Sequence, residues 1–201
     1  MGEIFALLEI RQGGELRCVP GSQELEEKSM DEIERLTAIE GIRLTKAQYE
    51  LAVLDCDWER YASLFTEDCV WDESGAFIAR NPVTGEWDPT GCEVPFEVLE
   101  QLEKRRAPWP RHGRASILET LNAKPAPALY HEVFNAQIEV IDTDNARGIW
   151  PFKDIIHFSE GAPLARVHGW GHYHEAYVRE GDRWLISELR LTRRFLYAYK
   201  W

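Results

Sequence analysis

Two charged side chains in otherwise apolar, strand-like segments are the strongest indication of chemistry in this sequence. In the run 150–158 every second residue shares one face of a strand, and that face carries Asp154 among aromatic and aliphatic side chains. Arg193 holds a similar position in the run 184–197, where it is predicted to share one face with Leu185, Leu189, Leu191 and Phe195. An unpaired buried charge is costly. We therefore expect Asp154 and Arg193 to meet inside a mostly aromatic cavity, either as a functional site or as an ion pair that only fixes strand register.

Aromatic residues accompany these charges. Trp150 and Phe152 share the face of Asp154 and are predicted to contact a bound ligand. The chain contains eight Trp, seven Tyr and eight Phe, a composition that suits either a large core or a pocket for a flat, hydrophobic molecule.

His131 and Asp55 are the candidates for proton transfer. His131 opens a strand-like segment, and histidine has an unperturbed pKa of about 6.5, near the pH at which most enzymes work. Asp57 directly precedes a helix that begins at Trp58, and it is predicted to cap that helix. Asp55 ends the preceding helix, where the macrodipole disfavours a carboxylate. It is therefore either a functional group or a solvated side chain at a helix end.

His172 and His174 offer a competing arrangement. Two histidines separated by one residue in a strand can bind zinc or another divalent metal. Gly169 and Gly171 nearby favour a β-bulge, which would change the face on which each side chain lies. We interpret His172 and His174 as polar residues of the pocket and expect neither a metal nor another cofactor.

Composition narrows the function classes. The net charge of -12 argues against nucleic acid and anionic membrane as partners, because both require basic patches. The sequence shows neither a membrane-spanning run nor a signal peptide, and the four cysteines lack the paired spacing of a metal site. We expect a cytoplasmic protein with reduced cysteines.

The organisation of the chain follows from its hydrophobic periodicity. Residues 1–28 are predicted to form an arm or hairpin and residues 29–201 a single domain, with a Pro- and Gly-rich excursion at 72–111 that suits a lid or a partner-binding arm. A capping box at Ser29 predicts a helix from Met30, and Gly41 is expected to break it. The stripe Leu44, Ala47, Leu51 and Leu54 predicts a second helix that runs to Asp55.

Strands dominate the second half. After a short helix that follows Gly113, four strands are predicted at about 130–141, 146–158, 165–179 and 184–197. Helices followed by a meander of strands indicate an α+β fold rather than a wound parallel sheet.

Several segments together resemble the SnoaL-like branch of the nuclear transport factor 2 superfamily. They are DWERYASLFTEDCVW, GRASI, HEVFN and GDRWLISELRLTRR, and the resemblance covers roughly residues 30–197 apart from the excursion. It implies a cone-shaped α+β barrel, in which a curved sheet wraps over helices around one deep pocket. The pattern is most similar to the cofactor-independent lyases of that superfamily: bile-acid dehydratase, scytalone dehydratase and hexachlorocyclohexane dehydrochlorinase.

The resemblance also implies roles for particular residues. It makes His131 and Asp55 a catalytic dyad, and it adds Asp154, Arg193 and Tyr49 to the catalytic set. Trp71, which closes the first of the matching segments, is predicted to contact the substrate.

These observations predict a lyase that acts on a hydroxylated, hydrophobic and mainly aromatic small molecule, by loss of water or by C–C cleavage that releases formaldehyde. His131 would act as the base. The alternatives are a non-catalytic ligand-binding or assembly module of the same fold, an isomerase, or a metal-dependent enzyme that uses His172 and His174. Resemblance also implies a homo-oligomer, a trimer or a dimer.

Overall fold

The computed structural model describes residues 30–76, 109–122, 128–162 and 164–201, which form three helices and seven strands. The helices are α1 (Glu32–Leu54), α2 (Trp58–Ala62) and α3 (Arg114–Asn122). The strands are β1 (Phe65–Asp72), β2 (Arg111–His112), β3 (Ala128–Val133), β4 (Gln137–Val140), β5 (Asn145–His157), β6 (Arg166–Glu180) and β7 (Arg183–Tyr199). The predicted arm at 1–28 and most of the 72–111 excursion lie outside the described residues.

All seven strands belong to one sheet. Their order is β2-β1-β7-β6-β5-β3, and β4 pairs with β5 beside β3. Strands β1 and β7 run parallel, and the other neighbours are antiparallel. Helix α1 contacts β3, β4 and β7, so it covers one face of the sheet. The predicted α+β class is confirmed. None of the described helices is both long and apolar enough to span a membrane.

Helix α1 is longer and differently capped than predicted. It begins at Glu32, after a capping box formed by Asp31 and Glu34. The predicted break at Gly41 is wrong, and the helix continues to Leu54. A Cβ at position 41 would lie 2.7 Å from Cδ1 of Trp184, so the glycine admits the indole of β7 against the helix.

The outer face of α1 is unexpectedly apolar. Leu44, Leu51 and Leu54 of the predicted stripe are between 44% and 59% exposed. The face toward the sheet instead carries Ala38, Ile42, Thr45, Lys46, Tyr49, Ala52 and Val53.

Strand β5 follows its prediction, since Trp150, Phe152 and Asp154 are buried between more exposed neighbours. The first predicted strand is divided into β3 and β4, and β1 and β2 were not predicted. Strand β7 contains two register shifts. Trp170 pairs with Phe195 but Gly171 pairs with Arg193, and the extra residue turns Phe195 outward to 45% exposure. The prediction that Phe195 shares the face of Arg193 is therefore wrong.

Candidate active site

A cavity of about 500 Å³ lies between the helices and the inner face of the sheet. Most of its wall is apolar, with Val53, Trp58, Leu121, Leu129, Ile156 and Leu191 among the lining residues. The polar side chains that line it include Tyr49, Tyr61, Glu73, His131, Asp154, Tyr173 and Arg193. Such a wall, apolar with a few convergent polar groups, is typical of a small-molecule site.

Asp154 and Arg193 form a bidentate ion pair in this wall. Nη1 and Nη2 of Arg193 donate to the two carboxylate oxygens at 2.8 and 2.6 Å. The two residues are 3% and 4% exposed. The contact between Asp154 and Arg193 that strand parity predicts is therefore present in the structure. The chemical role of this ion pair remains a prediction.

Gly169 makes this ion pair possible. Asp154 lies on β5 and Arg193 on β7, so the pair must cross the intervening strand β6. Gly169 of β6 is the register partner of Asp154. A Cβ at Gly169 would collide with Nη1 of Arg193 and lie 2.6 Å from Oδ1 of Asp154. The absent side chain leaves the space that the guanidinium occupies.

The guanidinium has further partners. Nε of Arg193 donates to the carbonyl oxygen of Ala76 at 3.0 Å, and its Cζ lies 4.8 Å from the centre of the Phe152 ring. Burial alone would lower the pKa of Arg193, but the charge and hydrogen bonds of Asp154 outweigh burial and raise that pKa above its ordinary value. Arg193 is therefore a permanent cation held against Asp154. Described residues occupy three of its five N–H donors.

His131 is held between a carboxylate and a phenol. Its Nδ1 lies 3.0 Å from Oε2 of Glu50 on α1, and its Nε2 lies 3.0 Å from the hydroxyl of Tyr173 on β6. A carboxylate only accepts hydrogen bonds, so neutral His131 carries its proton on Nδ1 and accepts the Tyr173 hydroxyl at Nε2. This arrangement orients a basic ring nitrogen toward a cavity-lining phenol.

Asp55 does not contact His131. The predicted dyad of His131 and Asp55 is therefore wrong, because the carboxylate beside His131 belongs to Glu50. Asp55 is the exposed C-cap residue of α1, whereas Glu50 reaches the ring. Five helical residues correspond to about 140° of rotation beyond a full turn. Glu50 and Asp55 therefore lie on different sides of α1. The predicted role of Asp57 is confirmed, because its side chain accepts from the amide of Arg60 at the start of α2.

Tyr49 lies in the cavity wall as part of a tyrosine cluster. The Tyr61 hydroxyl donates to the Tyr49 hydroxyl at 3.3 Å, and the rings of Tyr49 and Tyr173 are 5.8 Å apart. Burial, followed by the charges of neighbouring groups, raises the pKa of Tyr49, Tyr61 and Tyr173 well above the ordinary value of tyrosine. These phenols are therefore neutral donors at physiological pH.

The three aromatic residues predicted to contact the substrate lie in three different places. Trp71 lines the cavity and packs edge-on against Trp109, with 5.0 Å between ring centres. Phe152 stacks on Tyr173 at 4.2 Å and supports the site from behind. Trp150 lies in the core, where its Nε1 donates to the hydroxyl of Tyr177 at 2.9 Å. Only Trp71 of these predicted contacts lies in the cavity wall.

His172 and His174 lie on the opposite face of the sheet, so their assignment to the pocket is wrong. The inward residues of β6 are Gly171, Tyr173 and Glu175. The bulge expected beside the glycines lies in β7 instead, and the alternation of β6 is unbroken. Within the described residues, no group of three or more His, Cys, Asp or Glu side chains is arranged to hold a metal.

Three of the site's residues were missed by sequence reasoning: Glu50, Tyr173 and Gly169. Tyr173 and Gly169 share the inward parity of β6 and were accessible from the alternation of that strand. Glu50 lies four residues after Lys46 on the inward side of α1. Glu50 was missed because hydrophobic periodicity predicted the face with Leu44, Leu51 and Leu54 to be the buried one.

Comparison with known proteins agrees with this architecture. A model of the SnoaL-like domain matches residues 34–190. No curated protein sequence matches the chain. A candidate scytalone dehydratase from Novosphingobium aromaticivorans is a similar solved structure, with a TM-score of 0.59, 16% identity, and coverage of 83% of this chain and 91% of that one.

Two further solved structures are similar. A type 3 hexachlorocyclohexane dehydrochlorinase from Novosphingobium barchaimii has a TM-score of 0.58, 16% identity, and coverage of 84% of this chain and 94% of that one. A protein of unknown function from Mycobacterium tuberculosis has a TM-score of 0.55, 19% identity, and coverage of 82% and 77% respectively. These likenesses show the cone-shaped α+β fold predicted by resemblance. With the domain match across most of its length, the chain belongs to the SnoaL-like domain family.

Proposed function

We propose that this protein is a cofactor-independent lyase that eliminates water from a hydroxylated, hydrophobic and mainly aromatic small molecule, or that cleaves a C–C bond of such a molecule with release of formaldehyde. The observation that carries the proposal is the position of His131. Its ring is fixed by Glu50 on one side and Tyr173 on the other, in the wall of an apolar cavity.

The proposed proton transfer begins at Nε2 of His131. When the Tyr173 hydroxyl turns from Nε2 to the hydroxyl of the substrate, the lone pair of Nε2 is free to take a proton from the carbon next to the hydroxyl-bearing carbon. The electrons of that C–H bond form the new double bond. The hydroxyl leaves with its bonding electrons and accepts a proton, which gives water. Glu50 keeps the ring in the required tautomer and stabilises the imidazolium that forms.

Neutral phenols are suited to supply the proton to the leaving hydroxyl. Burial raises the pKa of Tyr173 and Tyr49, so both retain their protons at neutral pH. Tyr173 already bonds Nε2 of His131, and the proton taken by the base can return through this contact. We assign Tyr173 to proton delivery, and Tyr49 to binding of the substrate oxygen.

Asp154 and Arg193 complete the proposed site. Arg193 is a cation with N–H donors beyond those used by Asp154 and Ala76, and it lines the cavity. Such a donor stabilises negative charge that develops on a departing or adjacent oxygen. Asp154 fixes the guanidinium in place and keeps the site from attracting simple anions.

The names of similar structures support an elimination. One is a hexachlorocyclohexane dehydrochlorinase and another a candidate scytalone dehydratase. Both names denote reactions in which the substrate loses a proton together with a leaving group, which is chloride in one case and hydroxide in the other. The 16% identity means that this support concerns the fold and the class of reaction, and the assignment to this chain rests on its own residues.

The test is a substrate screen with matched variants. The purified protein is incubated with hydroxylated one- and two-ring aromatic compounds, and mass spectrometry follows loss of one water while a separate assay detects formaldehyde. For any compound that turns over, His131→Ala is expected to lower turnover by roughly a hundredfold or more, and Asp55→Ala is expected to leave it unchanged because Asp55 is exposed and remote from the ring.

Each alternative gives a different result. A product of unchanged mass would indicate an isomerase, since the same base can remove and return a proton. Tight binding without conversion across the panel would indicate a ligand-binding module. Turnover that survives His131→Ala would show that the base has been wrongly assigned.

A further inference from the structure

The outer face of α1 carries an apolar stripe that the described residues leave uncovered. Five large side chains, each between 44% and 74% exposed, form it: Ile33, Leu36, Leu44, Leu51 and Leu54. At about 100° of rotation per residue they fall within an arc of about 80°. The stripe runs about 32 Å along the helix, from its first turn to its last. A monomer rarely exposes an apolar surface of this length.

The five side chains are separated by 3, 8, 7 and 3 residues, and Glu40 and Ala47 fill the two long intervals. With these two residues the stripe repeats every three or four positions, which is the spacing of a helix–helix seam. It is also symmetric about its own middle. When the helix is laid antiparallel on a second copy of itself, Ile33 falls opposite Leu54 and Leu36 falls opposite Leu51 of the other copy. The two copies of Leu44 then lie together near the twofold axis. The same surface is therefore its own complement, as a twofold dimer requires.

The charges within the stripe select the same arrangement. Glu40 lies in the middle of the arc, and Arg43 lies beside it at 3.8 Å, with both side chains well exposed. In the antiparallel pairing, Glu40 of each copy faces the small Ala47 of the other and comes within reach of the other copy's Arg43. A parallel pairing would instead place the two Glu40 carboxylates together. Polar residues in a seam commonly fix orientation in this way.

We infer that the protein forms a homodimer in which the α1 helices of two copies pack antiparallel through the stripe from Ile33 to Leu54. The interface lies on the side of α1 opposite to Tyr49, and its centre is about 80° around the helix from Glu50, so it supports the helix that orients His131 without entering the cavity. This inference stands independently of the proposed function, because it depends on the exposed face of α1 alone.

Sedimentation equilibrium of the full chain at several concentrations tests the interface. The wild type is expected to be a dimer. Leu44→Glu is expected to raise the dissociation constant at least about a hundredfold, or about 2.8 kcal/mol, because it places two carboxylates at the twofold axis. Phe195→Glu, on the outer face of the sheet, is the matched control and is expected to leave the dimer intact. Circular dichroism checks that both variants fold.

Mixing two charge variants gives the sharper test. Glu40→Arg alone gives each copy two basic side chains in the seam, and Arg43→Glu alone gives each copy two acidic ones, so each homodimer is repulsive. Mixed together, the two variants are expected to form heterodimers in preference to either homodimer, as native mass spectrometry can show. An effect within one helix cannot produce this preference.

Four results would overturn the inference. A wild type that stays monomeric at all concentrations excludes the dimer. A dimer that survives Leu44→Glu but dissociates with Phe195→Glu assigns the interface to the sheet. Absence of a heterodimer preference excludes the antiparallel register. A full chain that is monomeric but dimerises when residues 1–29 are deleted shows that this segment, rather than a second copy, covers the stripe.

Discussion

In the described part of the chain, two almost fully buried Lys or Arg ion pairs with different surroundings lie against the inner face of the sheet. Asp154 and Arg193 lie in the wall of the cavity, and the described residues leave two of the five N–H donors of the guanidinium unoccupied. Lys46 and Glu175 lie deeper, 2.6 Å apart, with side chains only 2% and 0% exposed. Neither Lys46 nor Glu175 lines the cavity.

The surroundings of the deeper pair leave little capacity for a ligand. Glu175 also accepts a short hydrogen bond from the hydroxyl of Tyr177, which in turn accepts from Trp150. The Lys46 ammonium lies 3.7 Å from the centre of the Tyr49 ring and 4.3 Å from that of Tyr173. The deeper pair is thus satisfied by its own neighbours, and it supports two tyrosines of the cavity wall from behind.

Burial of an ion pair does not by itself identify a functional site. Both pairs are almost fully buried, and both carry the desolvation cost of two charges. Only the pair at the cavity can contact a small molecule. We therefore expect changes at Lys46 and Glu175 to act on stability, and changes at Asp154 and Arg193 to act on both stability and ligand chemistry.

The largest effect is expected from Lys46→Met. It leaves the Glu175 carboxylate buried with no cation, which costs about 3–5 kcal/mol of unfolding free energy. Urea denaturation measures the loss. The double variant Lys46→Met with Glu175→Leu is the control, and it is expected to recover most of the stability because no uncompensated charge remains. A single variant as stable as the wild type would show that water reaches the deeper pair.

A smaller loss of stability, with a larger loss of function, is expected from Asp154→Asn. The amide keeps the shape of the side chain but removes the charge that holds Arg193, and the lost charged hydrogen bonds cost about 1.5–3 kcal/mol. On any substrate found in the screen, turnover is expected to fall by roughly a hundredfold, since a misplaced donor no longer stabilises charge. If a folded Asp154→Asn variant keeps its turnover, the pair of Asp154 and Arg193 has only a structural role, like the pair of Lys46 and Glu175.

Two glycines allow the pairs to be perturbed separately. A Cβ at Gly169 collides with Arg193. A Cβ at Gly148 would lie 2.8 Å from Nε1 of Trp150, in the deeper cluster. Overpacking costs about 1–3 kcal/mol in either place, so Gly169→Ala and Gly148→Ala are expected to destabilise similarly.

Ligand binding and turnover should distinguish the two glycine variants. Gly169→Ala is expected to impair both, because it displaces the guanidinium at the cavity, and Gly148→Ala is expected to impair neither. If the two variants lose function equally, the division into a cavity pair and a structural pair is wrong.

The sequence predicted the cavity pair because strand parity is a local property. Asp154 and Arg193 each interrupt an alternating apolar row, and each row lies on the inner face of its strand. The prediction failed for Phe195 because a single extra residue in β7 inverts the parity beyond it. Such a bulge depends on the match between two strands, which one strand's sequence does not contain.

Helix α1 shows why the carboxylate partner of His131 was misassigned. The helix has two plausible buried faces, and hydrophobicity favours the wrong one. The outward stripe is rich in leucine, whereas the inward face includes Thr45, Lys46 and Glu50. Lys46 is tolerated there only because Glu175 lies 129 residues further along the chain and meets it in the core. The rotation of α1 brings Glu50 rather than Asp55 to His131. The sequence of α1 does not contain the distant residues against which this face packs, and Glu175 is one of them.

The smallest effect is expected on the outer face of β6, where neither ion pair contributes. Burial, followed by the charge of Arg194, lowers the pKa of His172, and burial followed by Arg190 lowers that of His174. The unfolded chain therefore binds protons at these positions from about pH 6.5 downward, and the folded chain does so only at lower pH. Their contribution to stability is complete above about pH 6.5 and is lost as the pH falls toward the lowered folded values.

Melting temperatures at neutral and mildly acidic pH measure this contribution. The variant with His172→Gln and His174→Gln is expected to lose less stability on acidification than the wild type. The Asp154→Asn variant and the double variant Lys46→Met with Glu175→Leu are expected to keep the wild-type difference. Should the glutamine variant lose as much as the wild type, proton uptake on the inner face, rather than at these two histidines, would dominate the acid response. In that case the inner face would have to be regarded as one coupled electrostatic unit rather than as two independent pairs.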